Sequence, residues 1–295
     1  MTTSSGALPS RPTQVWPDRR VIAYAHQGGA WEGPSSTLHT IATALEAGAT
    51  GIELDVHATA DHRLVVCHDA TVDRTSSTTG TIVSFTYDEL SRLDNAHWWA
   101  PGADVTPGLD DGAYPYRGLA PADHRFGFAL LEEVLEEFPD TVLNLDIKQT
   151  GPVVPPYEEV LADLLRRFDC ADRVIVASFL DTATDDFSAY APEFATSMGT
   201  LAMAEFYRAV QAGGHPVPTR HVALQVPATS GDVTLVDARF VEVAHEEGLA
   251  VHVWTIEEEA EMEDLCGVGV DGIITDRPSA LVGVLDRLGC TWVPR

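Results

Sequence analysis

The sequence predicts an α/β protein, a (β/α)8 barrel of the TIM type with a small insertion after the second strand. Three observations predict it. Short β-branched apolar runs alternate with helical patterns about eight times over roughly 270 residues, the usual size of such a barrel. No GxGxxG follows the first strand, which counts against the competing doubly wound open sheet. One long segment, 76–127, breaks the rhythm with Trp98, Trp99 and a run of prolines and glycines, and reads as an insertion over one barrel loop.

The elements follow in order. Residues 1–20 are rich in Ser, Thr, Pro and Arg and read as a flexible tail ahead of a single domain over 21–295. Strands are expected at 21–25, 51–56, 64–67, 141–147, 174–178, 194–198, 221–226, 249–254 and 272–275, all brief and rich in β-branched residues. A helix over 38–47 follows Ser35-Ser36-Thr37, a plausible cap, and stops at Gly48. Others are expected at 131–137, ending before Pro139, and at 157–168, 240–247 and 257–266. The last opens on Glu257, Glu258 and Glu259, and acidic residues favour a helix N-terminus.

Composition excludes several classes of function. At 45% hydrophobic and 21% charged residues the chain can bury a sizeable core. Its 18 basic and 45 acidic residues give a net charge of −27, which provides no footprint for nucleic acid or for an anionic membrane. No apolar run is long enough to span a bilayer, and residues 1–20 hold no apolar signal-peptide core, so no stable membrane anchor is expected. Cys67, Cys170, Cys266 and Cys290 are far apart in sequence and form no CxxC. They read as thiols of a reducing compartment, and the protein as cytoplasmic. The sequence sets no oligomeric state.

The chemistry concentrates at strand ends. In the strand ending Glu53-Leu54-Asp55-Val56, alternation puts Ile52, Leu54 and Val56 on the helix side and Glu53 and Asp55 together on the other. Two carboxylates facing the same way repel unless a cation lies between them. Asn144, Asp146 and Lys148 share one face of another strand, and Lys148 is the only lysine in the chain. Three carboxylates make an all-oxygen site suited to one divalent cation, Mg2+ or Ca2+, with Mn2+ an alternative, rather than zinc. His26 and His68 each close an apolar strand, where active sites in this architecture lie, and are placed to act as general acid and base. Among the other histidines, His57 and His252 are candidates for supporting roles. His39 and His245 fall on helical patterns, and His62, His97, His124 and His215 in loops.

These segments together resemble the glycerophosphodiester phosphodiesterase family. The resemblance rests on His26-x-Gly28, Glu53-x-Asp55, His68-Asp69 with Thr71-Val72-Asp73-Arg74-Thr75, Asn144-Leu145-Asp146-Ile147-Lys148, Trp254-Thr255 and the run from Gly269 to Pro278, in order between about 21 and 285. It implies a TIM-type barrel with an insertion after the second strand, and metal-dependent hydrolysis of glycerophosphodiesters to glycerol 3-phosphate and an alcohol. It matches His26 and His68 to the acid–base pair and Glu53, Asp55 and Asp146 to the metal ligands, the last usually a Glu. It matches Lys148 to a phosphate contact and Trp254 to an aromatic of the site wall. The implied partner is a small-molecule phosphodiester.

The sequence departs from the family pattern at two places. Gln27 stands where an Arg usually follows the first His, and Pro34-Ser35-Ser36-Thr37 stands for Pro-Glu-Asn-Thr. Gln27 carries no charge and cannot clamp a phosphate bidentately. Lys148 is then the one cation evident beside the phosphate, unless Arg74 or Arg125 fills the space from the insertion side. Glu32 is near enough in sequence to replace the lost carboxylate. Two other readings are weighed. One is a lysophospholipase-D-like or cyclising phosphodiester lyase, which an apolar lid of Trp98, Trp99, Tyr114, Tyr116, Phe126 and Phe128 would favour. The other is a non-catalytic barrel that binds a phosphoryl ligand.

Overall fold

A computed structural model describes residues 20–102, 105–148, 154–214 and 216–292. The expected tail, apart from Arg20, and the loop position expected for His215 lie outside them. In chain order the strands and helices are β1 (Ile22–His26), α1 (Leu38–Glu46), β2 (Gly51–Ala58), β3 (Leu64–Val66), α2 (Tyr87–Leu90), α3 (Leu131–Glu137), β4 (Val142–Ile147), α4 (Glu158–Arg167), β5 (Val174–Ala177), α5 (Asp181–Tyr190), β6 (Ala195–Thr196), α6 (Thr200–Gln211), β7 (Ala223–Pro227), β8 (Thr229–Ser230), β9 (Val233–Thr234), α7 (Ala238–Glu246), β10 (Ala250–Trp254), α8 (Glu259–Val268), β11 (Gly272–Thr275) and α9 (Pro278–Leu288).

The barrel strands run in the order β6-β5-β4-β2-β1-β11-β10-β7, each pair parallel. A Ser197–Ala223 bridge joins the two ends of this order, so the barrel nearly closes. The alternation expected in β2 and β4 holds. Ile52, Leu54, Val56, Leu143, Leu145 and Ile147 pack outward with residues of α1, α3 and α4, while Glu53, Asp55 and Asp146 face the cavity at the barrel mouth. The barrel floor holds Ile22, Tyr24, Ile175, Val222 and Ile274. Gly51 is needed there, because a Cβ at that position would lie 2.6 Å from the Tyr24 ring.

Two expectations are corrected. The strand expected at 64–67 is not a barrel stave: β3 runs antiparallel to β2, pairing Ala58 with Leu64 and Val56 with Val66. β2 overshoots the barrel mouth, turns through Thr59 to Arg63, and β3 carries the chain back down to the level of Asp55, whose carbonyl accepts from the Cys67 amide at 3.0 Å. The insertion aromatics form no lid on the cavity. Trp99, Tyr116 and Phe126 stack on one another with centroids 5.0–5.2 Å apart, and Arg117 lies over Tyr114 and Trp98. None of the six lines the cavity. A segment without long helices must bury its own apolar surface, and these rings do so against each other.

The insertion does sit at the barrel mouth. The Trp99 indole donates to the Ala30 carbonyl at 2.9 Å and the Asn95 amide to the Ser35 carbonyl at 3.0 Å, both in the loop that follows β1. All four cysteines are free thiols. Cys67 and Cys170 are buried, and Cys266 and Cys290 half-buried. Among the described residues no helix is long and apolar enough to cross a membrane.

Candidate active site

A cavity of about 330 Å³ opens at the C-terminal end of the barrel, where the fold places ligands. β1 contributes His26, β2 contributes Glu53 and Asp55, and β4 contributes Asn144 and Asp146. Lys148 follows β4, His68 follows β3 and Trp254 ends β10. Of the residues expected at the site, only Gln27 does not line the cavity. It lies one layer behind, buried, with its amide near the Glu53 carboxylate at 3.3 Å.

The two imidazole rings stand face to edge with centroids 5.7 Å apart. Each is held at Nδ1 by an aspartate. His26 donates to Asp276 Oδ1 at 2.7 Å and His68 to Asp69 Oδ1 at 2.6 Å. A carboxylate can only accept, so both rings turn Nε2 away from their aspartates, and in His26 that nitrogen lies 3.3 Å from the Gln27 side-chain nitrogen. Burial alone would lower the His26 pKa, but the Asp276 hydrogen bond and the nearby Glu53 charge outweigh it and raise it to about 9. Burial would raise the Asp69 pKa, and the hydrogen bonds from His68 and Arg74 instead hold it near 2. Behind Asp276 lies Glu257, which accepts from the Asp276 amide at 3.0 Å and from Thr275 Oγ1 at 3.1 Å.

Lys148 bridges two of the acids, with Nζ 2.8 Å from Asp55 Oδ1 and 2.7 Å from Asp146 Oδ2. Its backbone is fixed from behind by Tyr157, whose single hydroxyl proton is shared between the Lys148 and Val56 carbonyls. The other oxygens of the same acids, Asp55 Oδ2 and Asp146 Oδ1, are buried without a hydrogen-bond partner. Glu53 is fully enclosed, and burial followed by the Asp55 charge raises its pKa. Buried, unsatisfied carboxylate oxygens beside a third carboxylate are what a hard cation relieves, so the residues fit a divalent ion. Among the described residues no three acidic, imidazole or thiol groups are already drawn around one point, since Lys148 supplies the counter-charge between Asp55 and Asp146.

Sequence reasoning left several of these residues without a part: Asp276, Asp69, Tyr157 and Glu257. The first two stand inside the quoted motifs, yet only the fold shows which ring each holds. Arg74, one of two arginines considered for the phosphate side, reaches the neighbourhood. It donates to Asp69 Oδ2 at 2.8 Å and to Gln27 Oε1 at 3.1 Å. Arg125 is instead paired with Asp123 on the surface. Glu32 does not replace the lost acid of the loop, because its carboxylate accepts from the Ser279 amide and hydroxyl at the start of α9. Ser35 occupies the space behind the site and donates to Gln27 Oε1. His57 is buried and 3.4 Å from the His68 carbonyl, a support for that loop. His252 lies in the barrel floor beside Tyr24, away from His26 and His68.

A family model described as the glycerophosphoryl diester phosphodiesterase family matches residues 26–280. A glycerophosphodiester phosphodiesterase of Caldanaerobacter subterraneus is 30% identical over 277 residues, which is 92% of this chain and 100% of that protein. The chain belongs to the glycerophosphoryl diester phosphodiesterase family. It is therefore an enzyme of the phosphoric diester hydrolase class. A second member of the family, from Bacillus altitudinis, is 27% identical over 90% of this chain and 98% of its own length. The barrel is also that of solved phosphodiesterase structures. A glycerophosphoryl diester phosphodiesterase domain from Mycobacterium tuberculosis superposes with a TM-score of 0.72 at 19% identity, over 94% of this chain and all of that one. An Oleispira antarctica phosphodiesterase, solved with the product sn-glycerol-3-phosphate, does so with a TM-score of 0.65 at 20% identity, over 89% and 96%.

Proposed function

We propose that the protein hydrolyses glycerophosphodiesters to glycerol 3-phosphate and an alcohol, with His26 and His68 as acid and base and Glu53, Asp55 and Asp146 as ligands of one divalent cation. The observation that carries this reading is the pair of aspartate-held imidazoles beside an acidic cluster with orphaned oxygens, all in one cavity. A cation at those acids, Mg2+, Ca2+ or Mn2+, supplies charge neutralisation at a phosphoryl oxygen and acidifies a bound hydroxyl. The protein's own groups do the rest. One imidazole removes a proton through Nε2 from the glycerol 2-hydroxyl as it attacks phosphorus, the other donates one to the departing alcohol oxygen, and a water molecule then opens the resulting cyclic phosphate, with the proton transfers reversed, to give glycerol 3-phosphate. Asp276 and Asp69 keep each ring in the tautomer that this requires. Lys148 directs positive charge into the cavity toward the phosphate, and Trp254 closes the wall opposite the acids.

The test is an assay of the purified chain with a panel of glycerophosphodiesters in Mg2+, Ca2+ and Mn2+, followed by detection of glycerol 3-phosphate. Product from at least one pair, lost on chelation and restored by the metal, is the expected result. Binding of phosphodiesters without turnover in every condition would instead support the ligand-binding barrel.

Gln27 supplies a sharper expectation about charge. Arg74 already bonds to the Gln27 carboxamide, so the position beside His26 is not short of a cation. Lys148→Met should therefore lower kcat/KM on a glycerophosphodiester by more than Gln27→Ala does, because Lys148 faces the cavity and Gln27 does not. Gln27→Arg should lower activity roughly tenfold, since it sets two guanidinium groups against each other. Steady-state kinetics of the three variants decides this, and a faster Gln27→Arg enzyme would show that Arg74 does not serve the phosphate side.

A further inference from the structure

On one side of Asp276 the β-ladder stops early. β10 and β11 pair through His252–Gly272 and Val253–Ile273, and a backbone bond from the Ile256 amide to the Ile274 carbonyl follows at 3.0 Å. Thr275 and Asp276 lie beyond it, and there a side chain takes the place of a neighbouring strand. Glu257, expected at the start of a helix, stands two residues ahead of α8, which opens at Glu259. Its carboxylate lies along the end of β11, with Oε1 accepting from the Asp276 amide at 3.0 Å and Oε2 from Thr275 Oγ1 at 3.1 Å. Thr275 Oγ1 in turn accepts from the Arg277 amide at 3.0 Å, and the Arg277 guanidinium donates to the Glu257 carbonyl at 2.9 Å. Asp276 thus has its amide on Glu257, its carbonyl on the Trp31 amide at 3.2 Å and its carboxylate on His26 Nδ1. A shift of this turn moves the carboxylate and the ring with it.

Glu257 holds the turn fully only as an anion. The Asp276 amide can donate but not accept, so Oε1 must stay an acceptor. A proton would go to Oε2, and Thr275 would then have to reverse its hydroxyl and accept from Glu257 as well as from Arg277. Burial and the adjacent Asp276 charge raise the Glu257 pKa to about 7, against the bonds from Asp276 and Thr275 and the charge of His26. The charged groups facing it are Asp276 and Arg277 at the end of β11 and His26 from β1. On its own segment Glu258 and Glu259 point to solvent, and Glu259 pairs with Arg287 of α9 at 2.8 Å. The grip is therefore complete above about pH 7 and weakens as the pH falls through it.

We propose that Glu257 is a positioning residue of the reaction, whose ionised carboxylate sets Asp276 in place and, through Asp276, the His26 ring. The proposal rests on the phosphodiesterase reading above, in which His26 exchanges a proton with the substrate. Glu257 itself does not line the cavity and touches neither the substrate nor the acids.

The experiment measures kcat and KM of the full chain, and of its Glu257→Gln and Glu257→Ala variants, on glycerophosphocholine with Mg2+ across acid and alkaline pH. Glutamine keeps an acceptor for the Asp276 amide and does not titrate. At the alkaline end Glu257→Gln should lower kcat about tenfold, part of the ~10²-fold that a 1 Å misplacement costs, with KM and Mg2+ affinity unchanged. The ratio of wild-type to Glu257→Gln kcat should then fall toward one as the pH drops through about 7, where wild-type Glu257 takes up its proton. Alanine removes both acceptors and should lower kcat at every pH, by more than glutamine does. Melting curves establish that each variant folds, and glutamine, which has nearly the same shape as glutamate, decides the matter if the alanine variant does not fold. A kcat ratio constant across the pH range, a loss confined to KM, or an unchanged kcat in Glu257→Gln each overturns the proposal while leaving the phosphodiesterase reading intact. Absence of product from the wild-type chain overturns that reading and the proposal with it.

Discussion

Replacing His26 or His68 by alanine is expected to lower turnover by about 10²-fold or more, the usual size of a lost general acid or base. Both rings stand at the cavity wall, with side chains 16% and 37% exposed, so neither deletion opens a closed void in the core. The variants should fold and bind metal, which circular dichroism and calorimetry would establish before kinetics. The aspartates give the result its resolution. Asp276→Asn and Asp69→Asn leave each ring in place but allow the wrong tautomer, and should cost less than loss of the ring itself. Near-normal turnover in either alanine variant would remove that histidine from the mechanism.

Changing the acids to amides is expected to be as damaging by another route. Loss of outer partners of a metal site already costs about 10- to 100-fold, so loss of a direct ligand should cost at least as much in both affinity and activity. Glu53→Gln, Asp55→Asn and Asp146→Asn should therefore weaken binding of Mg2+ or Ca2+ by calorimetry and lower kcat in parallel. The metal-free proteins should not behave alike. Glu53 is buried against the Asp55 charge, and together these outweigh the attraction of Lys148 and of His26, whose Nε2 is 3.9 Å away, so Glu53→Gln relieves repulsion and should raise the melting temperature. Asp55→Asn removes half of the Lys148 pairing and should not. If Asp146→Asn retains full metal affinity, Asp146 serves only to hold Lys148.

Most of the barrel was legible because its strands are short, apolar and punctuated by polar ends. Residues of β2 and β4 declare their inward and outward faces by alternation alone. Residues of α5 did not announce a helix. Asp181-Thr182-Ala183-Thr184-Asp185-Asp186 is poor in helix formers, and the segment is held by burying Ala183 and Phe187. α9 carried readable signals, Pro278 in its first turn and Gly289 in a left-handed cap, and was nonetheless left out of the helices expected. Its position was masked by the site motif that runs directly into it. The candidate residues themselves were visible as strand-end His, Asp, Glu and Lys. Their partners were not, because Asp276 lies 250 positions from His26 in the chain. Only the pairing of the first strand, β1, with the last, β11, makes them neighbours. The direction of β3 stood in the spacing, since the five residues between β2 and β3 are too few for a parallel crossover and permit only an antiparallel return.

The nearly closed seam gives the molecule an unequal stiffness. β2 and β4 pair without interruption from Gly51 to Val56, whereas β6 and β7 meet at the single Ser197–Ala223 bridge and the few amide bonds around it. The acids and the His26 strand thus stand in the well-braced arc, and Met198, which lines the cavity, stands beside the joint. A hoop with one thin joint flexes there first. Strain from a bulky occupant of the cavity is taken up at that joint before it reaches the strands that carry His26, Glu53 and Asp146. Residues along the joint can therefore be exchanged with little disturbance of the strands that carry the acids.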